Sequence, residues 1–123
     1  MAQTKPDIWD SLYTTNVHAN QRLLVTLDPL LRASKAQVIF LTSGAVKSCS
    51  AYWGAYASSK AALEAMAKCY AAENVETGVR VSLFDPGRFQ SSMRAEAYPG
   101  EDPNQLDQPE EVAVRLVDMV DAA

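Results

Sequence analysis

The chain has 123 residues, of which 48% are hydrophobic, so it can bury the core of one small domain. Its formal net charge is −4 and its 11 lysines and arginines are scattered. This argues against a nucleic-acid surface, because binding phosphates needs a basic patch. No apolar run is long enough to span a bilayer, and the first ten residues, MAQTKPDIWD, are too polar for a secretory signal. Cys49 and Cys69 form no CxxC motif, so we expect reduced thiols in a cytoplasmic protein.

The first third of the chain is predicted to be helical. Thr4 is a plausible N-cap with Pro6 in the first turn, and apolar residues then recur at near-helical spacing. Pro29 lies late in this pattern, so we expect it to kink or shorten the helix. Asn16 and Asn20 fall close to the apolar stripe, where a side-chain amide needs hydrogen-bond partners.

Two short apolar runs are predicted to be strands. QVIFLTS, residues 37–43, and VRVSLF, residues 79–84, are typical of strands buried on both faces of a parallel sheet. An Ala-rich helix from Tyr56 to about Asn74 lies between them. With a further helix after the second strand, the order helix, strand, helix, strand, helix predicts an α/β fold built from βαβ units.

The connecting segments are predicted to be loops. Residues 44–54 are small and polar, and Gly78 indicates a turn before the second strand. Residues 88–109 form a long proline-containing stretch, a length that is usually functional or mobile, and residues 110–120 return to helical spacing. Two strands do not make an independently stable sheet, so the sequence accounts for only part of a complete α/β domain.

Polar residues lie where the first strand ends and the next helix begins. Ser43 ends the strand, and Tyr56 begins the helix thirteen residues later. Lys60 follows Tyr56 by four residues, about one helical turn. Residues four apart on a helix share a face, so the phenol and the ammonium should be neighbours. Ligands of parallel α/β sheets bind outside the carboxyl ends of the strands. We therefore expect these residues to converge with Asn16 on one crevice.

The same residues resemble the short-chain dehydrogenase/reductase family. The resemblance rests on four motifs: NV at Asn16, VIFLTS ending at Ser43, YASSK over residues 56–60, and DPGRFQS over residues 85–91. It implies a partial Rossmann-like fold, α/β and doubly wound around a parallel sheet. It also implies that residues 1–123 are the C-terminal portion of such a domain, incomplete at its N-terminal side.

The resemblance implies a catalytic role for each of four residues. Tyr56 would be the general acid/base that exchanges a proton with the substrate oxygen, and Ser43 would donate a hydrogen bond to that oxygen. A tyrosine ordinarily titrates near ~10, so a cation beside it is needed for work at neutral pH. Lys60 would supply this charge and hold the nicotinamide ribose hydroxyls. Asn16 would hold a water that links Lys60 to solvent.

The implied cofactor is NAD or NADP, bound here only at its nicotinamide end. Tyr56 and Lys60 would contact it, and a segment after the second strand would wrap the nicotinamide through Pro86, Gly87, Phe89 and Ser91. The family usually has threonine where Ser91 stands. None of the five glycines forms GxxxGxG or GxGxxG, so no pyrophosphate loop is present in these residues.

Two functions from different classes are compatible with these patterns. The first is an NAD(P)-dependent oxidoreductase of small carbonyl or alcohol substrates, present as its catalytic half. The alternative is a non-catalytic truncated remnant that acts as a helical association module. A related epimerase or dehydratase is a third, weaker option, because such enzymes share the Tyr–Lys pair. The family also implies a homodimer or homotetramer through the helices containing Asn16 and Tyr56. His18 is the only histidine, and we expect neither a metal site nor a Ser-His-Asp triad.

Overall fold

The computed structural model describes residues 1–122 as helices alternating with two strands. In chain order the elements are α1 (Pro6–Tyr13), a π-helical segment (Thr14–His18), α2 (Ala19–Ser34), β1 (Gln37–Leu41), α3 (Ala45–Ser48), α4 (Gly54–Glu73), β2 (Arg80–Phe84), α5 (Ser92–Ala97), a 3₁₀ turn (Pro103–Gln105) and α6 (Pro109–Asp121). The strands are parallel, with Gln37 opposite Arg80 and Leu41 opposite Phe84. The α/β class and the parallel pairing predicted from the sequence are therefore confirmed.

The chain divides into two compact units, Met1–Asp85 and the residues from Pro86 onward. The first unit contains both strands, and its core is the buried cluster of Phe40, Leu63 and Ala67. Partly buried apolar side chains surround this cluster: Leu24, Val38, Met66, Val81 and Leu83. Because Leu63 and Ala67 belong to α4, this helix is the element on which both strands pack.

Helix α4 buries a face made largely of small residues. Its buried positions are Ala55, Ala57, Ser59, Leu63, Ala67 and Tyr70. Most of these recur every three or four residues, as the 3.6-residue helical period requires for one continuous face. Small side chains let neighbouring backbones approach closely, and α1 and the π-helical segment also contact this helix. Helix α4 therefore links the N-terminal helices to the sheet.

Pro29 is predicted from the sequence to kink or shorten the second helix, and the structure contradicts the shortening. Helix α2 continues through Pro29 to Ser34, and its irregularity lies earlier, in the π-helical segment. Proline removes one backbone donor, but Asp28 and Arg32 form an ion pair of 2.9 Å across this turn. The Tyr70 hydroxyl of α4 also donates to Asp28, at 2.8 Å. These contacts hold the turn in place despite the proline.

Several boundary predictions are corrected in detail. The N-cap of α1 is Lys5 rather than Thr4, and no side chain caps this end. The predicted loop over residues 44–54 contains the short helix α3, and the one over residues 88–109 contains α5 and the 3₁₀ turn. These short elements have too few residues to show a period in the sequence.

The prediction that both strands are buried on both faces is also wrong. Phe40 is the only buried residue of β1, and the last residue of the strand, Leu41, is 49% exposed. Every residue of β2 is partly or fully exposed. A sheet of two strands, which is all that residues 1–122 form, has too few neighbours to cover its apolar side chains.

Asn74 closes the turn that leads from α4 into β2. Its side chain is fully buried; Nδ2 donates to the Tyr70 carbonyl at 2.9 Å, and Oδ1 accepts from the Thr77 hydroxyl at 2.8 Å. Gly78 follows with a φ of 83°, a left-handed conformation that glycine adopts without strain, so the predicted turn is confirmed. Both ends of this buried amide are therefore satisfied inside the protein.

Replacing Asn74 with alanine is expected to lower the free energy of unfolding by about 1–3 kcal/mol, because buried partners of the lost amide remain unsatisfied. Urea denaturation measures this change. Glu73→Ala is the matched control, since Glu73 is the exposed residue immediately before it. Equal stabilities for the two variants would show that the buried amide does not hold the turn.

Candidate active site

Helix α4 carries Tyr56 and Lys60 to the carboxyl end of β1. The Lys60 Nζ lies 6.0 Å from the centre of the Tyr56 ring. The same nitrogen donates a hydrogen bond of 2.8 Å to the carbonyl oxygen of Leu41, the last residue of β1. The structure therefore brings the phenol and the ammonium together at the strand end, where the spacing of the sequence predicts them.

Lys60 is partly buried at this position. Burial lowers its pKa from the ordinary 10.5, because the ammonium loses part of its hydration. The Leu41 carbonyl accepts one of the three ammonium N–H groups, so the others can bind further acceptors. A partly desolvated cation with spare donors is suited to holding hydroxyl groups of a ligand.

A second side-chain bond fastens α4 to the same strand end. The buried Thr42 hydroxyl lies 2.5 Å from a carboxylate oxygen of Glu64, and Lys68 lies 3.6 Å from the other oxygen. Glu64 stands one turn after Lys60, so consecutive turns of the helix bind consecutive residues of the strand end. The sequence analysis missed this contact, although the four-residue step from Lys60 to Glu64 is visible in the sequence.

Ser43 lies two residues beyond the end of β1. Its Oγ accepts a hydrogen bond of 3.2 Å from the backbone amide of Ala45, at the start of α3. A serine hydroxyl has one hydrogen and two lone pairs, so Ser43 can still donate to a ligand. This orientation is compatible with its predicted role.

Asn16 lies in the π-helical segment and contacts α4 through Ser59 rather than Lys60. Its Nδ2 donates to the Ser59 hydroxyl at 3.0 Å. The sequence analysis did not predict this bond or assign Ser59 any role at the site. Ser59 falls four residues after Ala55 and four before Leu63, so it lies on the buried face of the helix, where a hydroxyl requires partners. That spacing is the signal that could have identified it.

One aromatic side chain packs against Tyr56. The Trp53 ring packs edge-on against the Tyr56 ring, with centroids 5.7 Å apart. A cavity of about 510 Å³ lies beside them, bordered also by Tyr52, Ile8 and Leu12. Tyr56 therefore borders a space of ligand size, whose lining also includes the polar residues Lys5 and Asp7 but neither Ser43 nor Lys60.

The segment predicted to wrap the nicotinamide opens the second unit. Gly87 has a φ of 73°, and a Cβ there would meet nothing within 4 Å, so its backbone conformation rather than space requires glycine. The Pro86 carbonyl accepts a hydrogen bond of 2.9 Å from Arg115 of α6. Phe89 pairs with Asp107 in an isolated parallel bridge. The segment is thus held by α6 and by Asp107, which lies just before α6 in the chain.

Ser91 is the N-cap of α5. Its Oγ accepts a hydrogen bond of 3.1 Å from the Arg94 amide. Arg94 in turn forms a bidentate pair with Glu101, at 2.7 and 2.8 Å, and stacks 3.8 Å from the Tyr98 ring centre. The guanidinium holds the pKa of Glu101 below its ordinary 4.5. The Ser91 hydroxyl thus has a structural bond in addition to the cofactor contact predicted for it.

Other site types are not found among the described residues. Within residues 1–122, no three His, Cys, Asp or Glu side chains are grouped so that they could hold a metal ion. In the same part of the chain, no helix combines the length and apolar character that crossing a bilayer requires. Cys49 and Cys69 are free and exposed.

The fold agrees with the comparison to known families. A family model described as short chain dehydrogenase matches residues 1–102, and the chain belongs to this family.

Individual relatives extend the match along the chain. It is 38% identical over 113 residues to the uncharacterized oxidoreductase YciK of Escherichia coli K12, covering 91% of this chain and 44% of that protein. A short chain dehydrogenase from Shigella flexneri 2a, whose structure is complexed with NADP, superposes with a TM-score of 0.83 at 38% identity, covering 89% of this chain and 46% of that one. A Salmonella enterica serovar Typhi short chain dehydrogenase gives a TM-score of 0.85 at 40% identity, with coverages of 89% and 46%. The chain thus spans less than half the length of these relatives.

Proposed function

We propose that this chain carries the catalytic portion of an NAD- or NADP-dependent oxidoreductase that interconverts small carbonyl and alcohol substrates. The observation that carries the proposal is the Tyr56–Lys60 pair at the carboxyl end of β1, with Lys60 fixed by the Leu41 carbonyl. Membership of the short-chain dehydrogenase family and the NADP complex of the Shigella flexneri relative support it.

The residues present suit the nicotinamide end of the cofactor. The spare N–H groups of Lys60 would hold the ribose hydroxyls. When bound, the nicotinamide supplies or accepts the hydride. None of the five glycines of the sequence lies in a pyrophosphate-binding motif, so these residues do not provide a site for the rest of the dinucleotide.

The chain's own residues would handle the proton. In the reducing direction the Tyr56 hydroxyl donates a proton to the substrate oxygen, while the Ser43 hydroxyl donates a hydrogen bond to the same atom. The Lys60 cation stabilises the phenolate that remains. Asn16 would hold a water through which the proton is replaced from solvent. The cavity beside Tyr56 and Trp53 has room for a small substrate.

A fusion protein tests this function. Residues 1–123 replace the matching segment of the Shigella flexneri relative, and the purified fusion is assayed with NADPH against a panel of aldehydes and ketones. We expect NADPH binding and reduction of at least one compound. A folded fusion that binds NADPH but reduces none of the compounds accepted by the unmodified relative would contradict the proposal and favour a non-catalytic association module.

Replacing Lys60 with methionine in this fusion is expected to weaken NADPH binding and to shift the pH profile of alcohol oxidation. The phenolate loses its neighbouring positive charge, so the alkaline rise in rate moves to higher pH. Steady-state rates measured from about pH 6 to about pH 10 detect this shift. The upper end of this pH range is set by the reference pKa values of tyrosine and lysine side chains. Lys68→Met, on the exposed side of the same helix, is the control. A Lys60→Met profile that coincides with the control would exclude electrostatic tuning by Lys60.

We also infer that the protein associates with a second copy of itself through the helices containing Asn16 and Tyr56, the first of which continues from the π-helical segment into α2. Helix α2 exposes a row of leucines at four- and three-residue steps, in which Leu23 is 56%, Leu27 39% and Leu30 67% exposed. Apolar side chains at this spacing form a stripe on one side of a helix that a partner helix can cover.

A further inference from the structure

Ser59 is one of the most deeply buried side chains of the structure, with an exposed fraction of 0%. Its hydroxyl donates to the Tyr56 carbonyl at 2.8 Å and accepts from the Asn16 amide at 3.0 Å. The hydroxyl therefore joins the π-helical segment to the turn of α4 that begins at Tyr56 and ends at Lys60. A hydrogen bond removed from water in this way is strong, and losing one partner leaves the other unsatisfied.

We propose that Ser59 is a positioning residue for the reaction, which holds the Asn16 side chain and its π-helical segment in register with Tyr56 and Lys60. This inference rests on the proposed function, because it assigns Ser59 a role in the same site. Ser59 itself would touch neither substrate nor cofactor. It acts through Asn16 on one side and through the backbone of Tyr56 on the other.

The local backbone explains why Asn16 needs such an anchor. A π-helical turn is a rare interruption of an α-helix, often found at functional sites. On the far side of this turn, the Asn20 amide donates to the carbonyls of Thr15 and Asn16, at 3.3 and 3.0 Å. These bonds lie within the N-terminal helices, whereas the bond from Asn16 to Ser59 connects the turn to α4. Without Ser59, the Asn16 side chain loses this connection to the catalytic helix.

The neighbouring serine provides a matched control. Ser58 makes the same kind of bond to its own helix, from Oγ to the Ala55 carbonyl at 3.1 Å. Ser58→Ala and Ser59→Ala therefore each remove one hydroxyl oxygen and one hydrogen bond from that hydroxyl to a backbone carbonyl, at adjacent positions. The bond to Asn16 and the full burial belong to Ser59, so a difference between the variants reports the connection between the two helices.

The first measurement examines the bond itself in the fusion protein, because a two-stranded sheet is not expected to be stable by itself. In ¹⁵N-labelled protein, we expect the Asn16 side-chain amide protons to exchange slowly with solvent, and at least tenfold faster in Ser59→Ala. Ser58→Ala should leave this exchange unchanged. Equal exchange rates in Ser59→Ala and the unsubstituted fusion protein would overturn the inference.

The second measurement follows turnover in the fusion protein. We expect Ser59→Ala to lower kcat about tenfold and to leave the KM for NADPH within about twofold. A fall in kcat at nearly constant KM is the pattern of an interaction that acts mainly in the transition state. Asn16→Ala should have a similar effect, and the double variant should be no worse than either single one. The inference would be overturned if the effects of Ser59→Ala and Asn16→Ala multiplied in the double variant. It would also be overturned if Ser59→Ala had the same kcat as Ser58→Ala. If Tyr56→Phe also keeps its activity, the proposed function fails; if only Ser59→Ala does, the positioning role alone fails.

Discussion

Replacing Tyr56 with phenylalanine is expected to reduce turnover of the fusion protein by about 10²- to 10⁴-fold, the usual contribution of a general acid or base. The change removes one oxygen and keeps the ring, so the edge-on packing against Trp53 should survive. The Lys60 ammonium would still be held by the Leu41 carbonyl. We therefore expect kcat to fall in both reaction directions, while NADPH binding and thermal stability change little.

Tyr13→Phe is the control for this substitution. Tyr13 stacks on Trp9, with ring centroids 5.0 Å apart, and this contact needs no hydroxyl. The control should retain activity close to that of the unsubstituted fusion. A Tyr56→Phe variant that keeps more than about half of the activity would assign the proton transfer to another group.

The chain of residues 1–123 by itself is expected to bind NADH and NADPH very weakly, with a dissociation constant of roughly 1 mM or higher. Most of the affinity for a dinucleotide comes from the pyrophosphate at a glycine-rich turn and from the adenosine ribose. Neither motif occurs among these residues, and the contacts proposed for Tyr56, Lys60 and the segment after Pro86 involve only the nicotinamide end.

Fluorescence titration of the purified chain measures this affinity, with the Shigella flexneri relative titrated in parallel. We expect saturation for the relative and a nearly linear, unsaturated signal for the chain. A micromolar dissociation constant for the chain alone would reveal a phosphate site that the sequence motifs do not show.

The local part of the site could be predicted from the sequence. Tyr56 and Lys60 meet because they are one helical turn apart, and no tertiary contact is needed to place them on one face. Ser43 follows a recognisable apolar run, so its place near a strand end could also be predicted. Family motifs then indicated a chemical role for each residue.

The contacts between distant segments could not be predicted. The bond from Asn16 to Ser59 depends on a π-helical turn, which leaves no clear period in a single sequence. The contact of Thr42 with Glu64 depends on how deeply α4 lies against β1. The exposure of Leu41 depends on how many strands flank it, and a short apolar run looks the same in a central strand and at an edge.

The pairing of β1 with β2 determines the order in which this site can assemble during folding. Gln37 aligns with Arg80 only after the chain between them has folded back over the sheet, and such non-local pairing is slow. A helical turn forms far faster, so Tyr56 and Lys60 become neighbours early, while α4 is still separate from the strands. The bond from Lys60 to the Leu41 carbonyl must wait until the helix docks. We therefore expect the Tyr56–Lys60 pair to form early, through local folding, and its attachment to the strand end to form only when α4 docks.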